Sequence, residues 1–422
     1  MQTTATVRAQ RRAALRPAAP ARPSRLPELS HGAGFWAVGY AFTVVMAFAT
    51  VPTPLYVLYA ARDHLSPIVV TCVFAAYAVG VVAALMLVGH VSDWVGRRRM
   101  LLSAAAVSLA SAVLFAASTA LWALFVARAV SGFAVGIVTT TATAHLAELD
   151  ARHRPAATAR RAQIVAVAAN LGGIGIGPVL SGLLVQVAPD PLRTPYLVGA
   201  ALLLVALLGL ALTPETVTRD AAAGYRAQRI AVPHRARAAF AAASLGAAVS
   251  FTIFGMFSAL VPGFVADRLH QHSHLVAGAI AASVFLASAI AQVIGNRPRP
   301  STATALAAIG LATLAISTWT TDLAGFVVGA IVTGTGAGLL FKTLLATVID
   351  IAPAGNRGEV LAGFFLTAYV GLAAPVIGLG LLEQIVSTSV LMTVFAAVSA
   401  VALTASAAAL RRTSRRLAEE LS

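Results

Sequence analysis

The chain has 422 residues, 59% hydrophobic and only 11% charged, with a mean hydropathy of +0.85. Apolar runs long enough to cross a bilayer as helices recur along it, which excludes an ordinary soluble globular protein. The formal charge of +15 does not signal a nucleic-acid binder, because the basic residues sit in the gaps between apolar runs rather than on a foldable basic domain.

Twelve apolar runs read as membrane-crossing helices, at 34–60, 67–92, 98–118, 121–148, 161–187, 195–213, 237–263, 274–295, 301–319, 323–350, 358–382 and 387–410. Several exceed the ~20 residues that a span needs, so tilt or protruding ends are expected. The stretch before the first run is rich in Arg, Ala and Pro and has no acid before Glu28. It resembles a transit peptide in composition, but the first run is too long for a signal-peptide core, and residues 1–33 read as a disordered cytoplasmic tail. Span 1 offers Tyr40, Thr43, Thr50 and the paired prolines of VPTPLY, without a carboxylate. Cys72 in span 2 is the only cysteine, so no intrachain disulfide is possible.

Between spans 2 and 3 the chain reads GHVSDWVGRRR, from Gly89 to Arg99. In so short a connection, Gly89 and Gly96 permit close backbone approach and unusual dihedrals. Asp93 can hold the N-terminus of a neighbouring helix through its dipole. Arg97 or Arg98 can pair with an acid at another helix end, such as Glu148 or Asp150.

Span 4 carries a stripe of Arg128, Gly132, Val135, Thr139 and Thr143 at helical spacing. Span 5 has Gly173 and Gly177 four residues apart, a flat face for close packing. Pro178 there cannot donate to the carbonyl of Ile174, so the helix can bend. From Thr213, TPETVTRDAAAGYRAQRIAVPHR is the longest polar interval and divides the spans six and six. Span 7 contributes Phe254 and Ser258. HQHSH (270–274) lies in a loop and reads as polar loop rather than metal site; His145 reads as a helix-end histidine. Span 10 holds Lys342, the single lysine beside 29 arginines, on a stripe with Gly338 and Thr335. Every Asp and Glu falls outside the middle of a span.

The two halves repeat. Gly132 and Gly136 match Gly334 and Gly338 at an offset of 202, and Pro178 matches Pro375 at an offset of 197. Repeated halves with a midplane site between them are a common transporter plan. With the N-terminus inside, cytoplasmic segments hold 25 Lys and Arg and outer loops three. That bias places both termini in the cytoplasm. The domain reading is a tail at 1–33, a six-helix bundle at 34–213, a cytoplasmic linker at 214–236, a second bundle at 237–410 and a cytoplasmic tail at 411–422.

These motifs resemble the major facilitator superfamily, in its twelve-helix, drug:proton antiporter-like form. GHVSDWVGRRR is similar to that family's signature between helices 2 and 3, matched at Gly89, Asp93, Gly96, Arg97 and Arg98. Val91 replaces Leu, and Trp94 stands where a basic residue is usual. RAVSGFAVG resembles the helix 4 pattern at Arg128, Gly132 and Gly136. GGIGIGPVLSG resembles the helix 5 antiporter pattern at Gly173, Gly177, Pro178 and Gly182, with Ser181 and Ile164 departing from it. In the second half the first signature is eroded to QVIGNRPRP.

The resemblance implies an all-α membrane fold of twelve helices in two pseudo-symmetric six-helix bundles. It implies a conformational role for Asp93 and Arg97, and a central cavity lined by helices 1, 4, 7 and 10. Cavity candidates are Tyr40, Thr43, Arg128, Thr139, Phe254, Ser258, Thr335 and Lys342. The missing mid-span acid departs from many proton-coupled exporters of the family.

The expected function is a secondary active transporter of the bacterial cytoplasmic (inner) membrane. It would export a small organic compound by alternating access with proton or counter-ion exchange. Uptake symport of a small, possibly anionic metabolite is the alternative, and a non-transporting membrane sensor or assembly factor is the reading from another class. The anion idea rests on Arg128 and Lys342, mid-span cations with no acid to offset them. Lys342 is further expected to titrate in place of a carboxylate. No Gly-rich loop ending in GK[ST] supports direct ATP drive. An enzyme, a cofactor, a metal and a nucleic-acid partner are not expected; the lipid bilayer is, and the chain is expected to be monomeric.

Overall fold

The computed structural model describes residues 28–217, 232–295, 299–353 and 357–421. Most of the expected N-terminal tail (1–27) and of the linker (218–231) therefore lies outside the described residues. Twelve helices are long and apolar enough to cross a membrane. They are α1 His31–Asp63, α2 Pro67–Val88, α3 Arg97–Ala117, α4 Leu121–His153, α5 Arg160–Val187 and α6 Thr194–Leu212, then α7 Arg237–Ala259, α8 His274–Ile294, α9 Pro300–Thr320, α10 Leu323–Ile351, α11 Arg357–Leu382 and α12 Thr388–Thr413. Among the described residues there is no strand. The fold is all-α, and the helices pack as two groups of six, α1–α6 and α7–α12.

Several ends differ from the sequence expectation. α1 runs on to Asp63 but is interrupted at Val51, because Pro52 lacks an N–H and restarts the helix as its first residue. α2 stops at Val88, and Ser92–Val95 forms its own short turn of helix. α4 extends to His153 because its last turns carry charged residues that find partners in the polar phase. α7 ends at Ala259; Pro262 opens a separate helix, Val261–Asp267.

The internal repeat is visible in atomic detail. Pro178 in α5 leaves the carbonyl of Ile174 without its helical donor, and Thr50 Oγ1 in α1 donates to that oxygen at 2.8 Å. In the second half, Pro375 in α11 frees the carbonyl of Gly371, and Thr252 Oγ1 in α7 donates to it at 2.7 Å. Both pairs keep the offsets of 202 and 197 seen in the sequence repeat. The matched glycines also do matched work. A Cβ on Gly132 would collide with the Tyr77 carbonyl of α2, and one on Gly334 with the Val284 carbonyl of α8. Small residues are what allow such close helix contact in lipid.

The bundles meet along two lines, α2 against α11 and α5 against α8. We call the membrane side that carries the chain termini the terminal side, and the other the far side. The glycine-mediated approaches between bundles lie in the middle or far half: Gly175 on α8, Gly182 on His274, Gly278 on the Pro178 carbonyl, and Gly380 on Thr71. Ser273 Oγ also donates across this line to Gln186 Oε1, 3.0 Å away. The seam is thus sealed on the far side.

The proline-freed carbonyls yield a stability prediction. Thr50→Val and Thr252→Val each leave one buried carbonyl unsatisfied, which should cost about 1–3 kcal/mol. Each should lower the melting temperature of the detergent-solubilised protein, whereas Thr→Ser at either position, which keeps the hydroxyl, should largely restore it.

Candidate functional site

On the terminal side, the segment around Gly96 is a densely bonded polar region. Gly96 has φ +117° and ψ +142°, a backbone conformation that only glycine adopts without strain. It delivers the chain into α3 so that the first N–H groups point at one carboxylate. Glu215 Oε1 accepts from the Arg97 N–H at 2.8 Å, and Oε2 from the Arg98 N–H at 3.1 Å. A negative group at a helix N-terminus is favoured by both the orphan donors and the dipole. The sequence reading assigned such a role to Asp93. Asp93 instead has a 62% exposed side chain and pairs with Arg97 at 2.5 Å. Gly89 also departs from expectation, since its backbone is ordinary right-handed helix (φ −56°).

The Arg97 guanidinium is the hub, with a side chain 12% exposed. It donates to Ser92 Oγ at 2.6 Å and to Glu148 Oε1 at 3.2 Å. Thr216 Oγ1 donates to the other oxygen of Glu148. Arg152 donates to the carbonyls of Glu215 and Thr216. Arg98 pairs with Glu28 at 3.6 Å, and Arg154 and Arg161 share Asp150. All of these groups belong to the first bundle or the strand of chain leaving α6. His145 is buried, with Nε2 at 3.2 Å from the Pro214 carbonyl of that strand.

The two mid-span cations have backbone partners. Arg128 is 1% exposed and donates to the Ala49 carbonyl at 2.6 Å, beside the break in α1. Its guanidinium lies 5.0 Å from the Tyr77 ring, 5.6 Å from Phe74 and 5.7 Å from Tyr56. Lys342 Nζ donates to the carbonyls of Gln292 and Gly295, at 2.7 and 2.9 Å. These close the C-terminus of α8, where carbonyls lack helical donors and the dipole favours a cation. Backbone carbonyls thus offset both cations, one of the ways, beside water or an anionic ligand, in which a mid-span cation without an acid can be accommodated.

The remaining cavity candidates are dispersed. Tyr40 is 38% exposed and its hydroxyl donates to the Leu202 carbonyl of α6, so it faces a neighbour in its own bundle. Thr43, Thr139 and Thr335 return their hydroxyls to carbonyls one turn back, at 2.9, 2.8 and 2.8 Å. Ser258 is buried on α7. Phe254 alone joins a larger assembly, stacked on Phe285 at 5.2 Å. That assembly includes Phe251, Phe341, Phe364, Phe365 and Tyr369, which the sequence reading missed. Its signal was there in the spacing of Phe251 and Phe254 on span 7 and the adjacent Phe364 and Phe365 on span 11. Also missed was a wide turn in α5, Ala168–Gly172, which carries Asn170 and packs on both α1 and α8. Such π-type turns often mark functional positions. Among the described residues, no group of three or more His, Cys, Asp or Glu is placed to hold a metal ion.

Two tests follow. Gly96→Ala puts a Cβ against the Glu215 carboxylate as well as straining φ, and should cost on the order of 1–3 kcal/mol. Glu215→Ala should cost about 1 kcal/mol through the lost cap. Both are read by thermal melting, with Glu215→Gln expected to be milder.

On the far side, Glu383 follows α11 three residues beyond Gly380. Burial, and next the neighbouring Asp267 carboxylate, push its carboxyl up to about 7. An acid raised by folding favours the structure in which it is protonated, so that preference weakens as pH rises from about 4.5 through about 7. In a Cys72→Ala background, a thiol placed at the seam by Thr71→Cys should therefore gain more labelling rate between pH 6 and pH 7 than thiolate formation alone gives, and Glu383→Gln should remove that excess.

The sequence model described as Major Facilitator Superfamily matches residues 37–374. No curated protein matches the chain. Among solved structures, the chain is similar to the crystal structure of the human organic anion transporter MFSD10 (TETRAN), with a TM-score of 0.64 and 14% sequence identity, over 90% of this chain and 100% of that one. Sequence identity this low makes it a likeness of fold alone. With that family's pattern running through most of its length, and with twelve helices in two bundles, the chain belongs to the major facilitator superfamily.

Proposed function

We propose that this membrane transporter is an exporter of a small organic compound, working by alternating access in exchange for protons or another ion. One observation carries this reading. The α5 segment that resembles the antiporter pattern lies on the seam and faces both bundles. Gly173 and Gly177 take the backbone of α1 in their own bundle, while Gly175 and Gly182 take α8 of the other. Pro178 sits between them, with its freed carbonyl held laterally by Thr50. A helix that can bend where both bundles grip it supports rocking of one bundle on the other. The glycine contacts across the far half of the seam fit a state closed on the far side. The charge bias of the loops supports a cytoplasmic terminal side.

The direction of flux tests the proposal. Ligands found by thermal stabilisation of the purified protein are offered to proteoliposomes under an imposed proton gradient. Export predicts movement toward the far side, driven by protons moving the opposite way and abolished by a protonophore. Movement toward the terminal side together with protons would make the protein an uptake symporter and overturn the assignment. Reporters fused after Arg25, within 219–235 and after Arg412 should all report cytoplasm.

A further inference from the structure

The second bundle contains a continuous set of stacked and edge-on rings near the middle of the membrane. Phe251 of α7 lies 5.3 Å from Phe341 of α10, 5.3 Å from Tyr369 of α11 and 6.1 Å from Phe254. Phe254 stacks on Phe285 of α8, and Phe341 reaches Phe365 of α11 at 6.4 Å. Four helices therefore contribute to one aromatic wall. Its members differ in burial: Phe254, Phe285 and Tyr369 are buried, while Phe251, Phe341 and Phe365 are half-buried. Protein thus leaves part of three of its rings uncovered. α7 and α11, which carry Phe251 and Phe365, also pack across the seam on α2.

The charges around the wall restrict what it can take. Among the described residues, every Asp and Glu lies at a helix end, in a connection or in a tail. A cationic ligand would find no carboxylate at this depth among the described residues. Ring faces can attract a cation, but by ~0.5–2 kcal/mol, less than the several kcal/mol of stripping it of water. An anion gains little either. Arg128 is enclosed beneath the Ala49 carbonyl and three rings, and Lys342 is engaged with the end of α8.

We infer that the seam binds an uncharged, ring-bearing organic compound, stacked on the edge formed by Phe251, Phe341 and Phe365. The inference deepens the transporter reading of this seam and rests on it. Ring-on-ring contacts contribute ~0.5–1.5 kcal/mol beyond the area they bury, so the rings add selectivity for flat, aromatic ligands over aliphatic ones of equal size.

The test uses the full-length protein purified in detergent and three probes. N-phenyl-1-naphthylamine is uncharged; 1-anilinonaphthalene-8-sulfonate has the same rings with a sulfonate; tetraphenylphosphonium is a ring-bearing cation. Ligand-induced shifts of the melting temperature, titrated with each probe, give relative affinities. The uncharged amine is expected to bind about tenfold or more tightly than either charged probe. Phe251→Leu and Phe341→Leu keep an apolar side chain and remove the ring; each should weaken the amine by about threefold to tenfold while still melting cooperatively without ligand.

No stabilisation by the amine, equal or tighter binding of a charged probe, or unchanged affinity in both Leu variants would each overturn the inference. Flux of the same amine in proteoliposomes separates this inference from the exporter reading. Ring-dependent binding without movement would leave the site standing and remove the export assignment, whereas movement that survives both Leu substitutions would do the reverse.

Discussion

A polar backbone group that loses its helical partner inside a bilayer has no water to turn to, and much of this architecture follows from that constraint. The two prolines that let α5 and α11 bend each strand a carbonyl, and each carbonyl is met by a threonine from the first helix of its own bundle. Flexibility at the seam is thereby obtained without an exposed polar group. The same constraint runs in the other direction for the two buried cations. Carbonyls at the break in α1 and at the end of α8 need donors, and Arg128 and Lys342 supply them. Charge that looks unbalanced along the sequence is balanced against backbone.

Close approach is the second consequence. Without water to drive helices together, contact area and hydrogen bonds must hold the bundles. Glycine at matched places in both halves lets α4 and α10 lie directly on the carbonyls of α2 and α8. Between bundles, glycines seal the far half of the seam in the same way, with surfaces that can part without breaking ion pairs. The strong polar network around Arg97 stands apart from this seam. It ties α3, α4 and the chain leaving α6 into one unit, so the first bundle can move as a rigid body while the seam opens.

The chemistry of the interior is accordingly apolar and aromatic rather than ionic. Acids occur at helix ends, where they cap, pair or, as with Glu383 beside Asp267, hold a proton near neutrality. Glu383 thus lies at the far end of α11, more than four helical turns beyond Phe365 of the aromatic wall.

The sequence by itself determined the number of spans, the two-fold repeat and the freed carbonyl of Ile174, and it narrowed the ion pairs to Arg97 or Arg98 with Glu148 or Asp150, of which the structure selects Arg97 with Glu148. These depend on hydropathy, on residue types at fixed spacing and on the missing N–H of proline, all of which are local. It did not reveal that Glu215, more than a hundred residues away, caps α3. Nor did it reveal that Lys342 closes α8 or that Tyr40 turns toward α6, because those partners are set by which helices become neighbours. The aromatic wall has the same origin: its rings come from four helices far apart in the chain. Only the packing of the second bundle decided that they would meet.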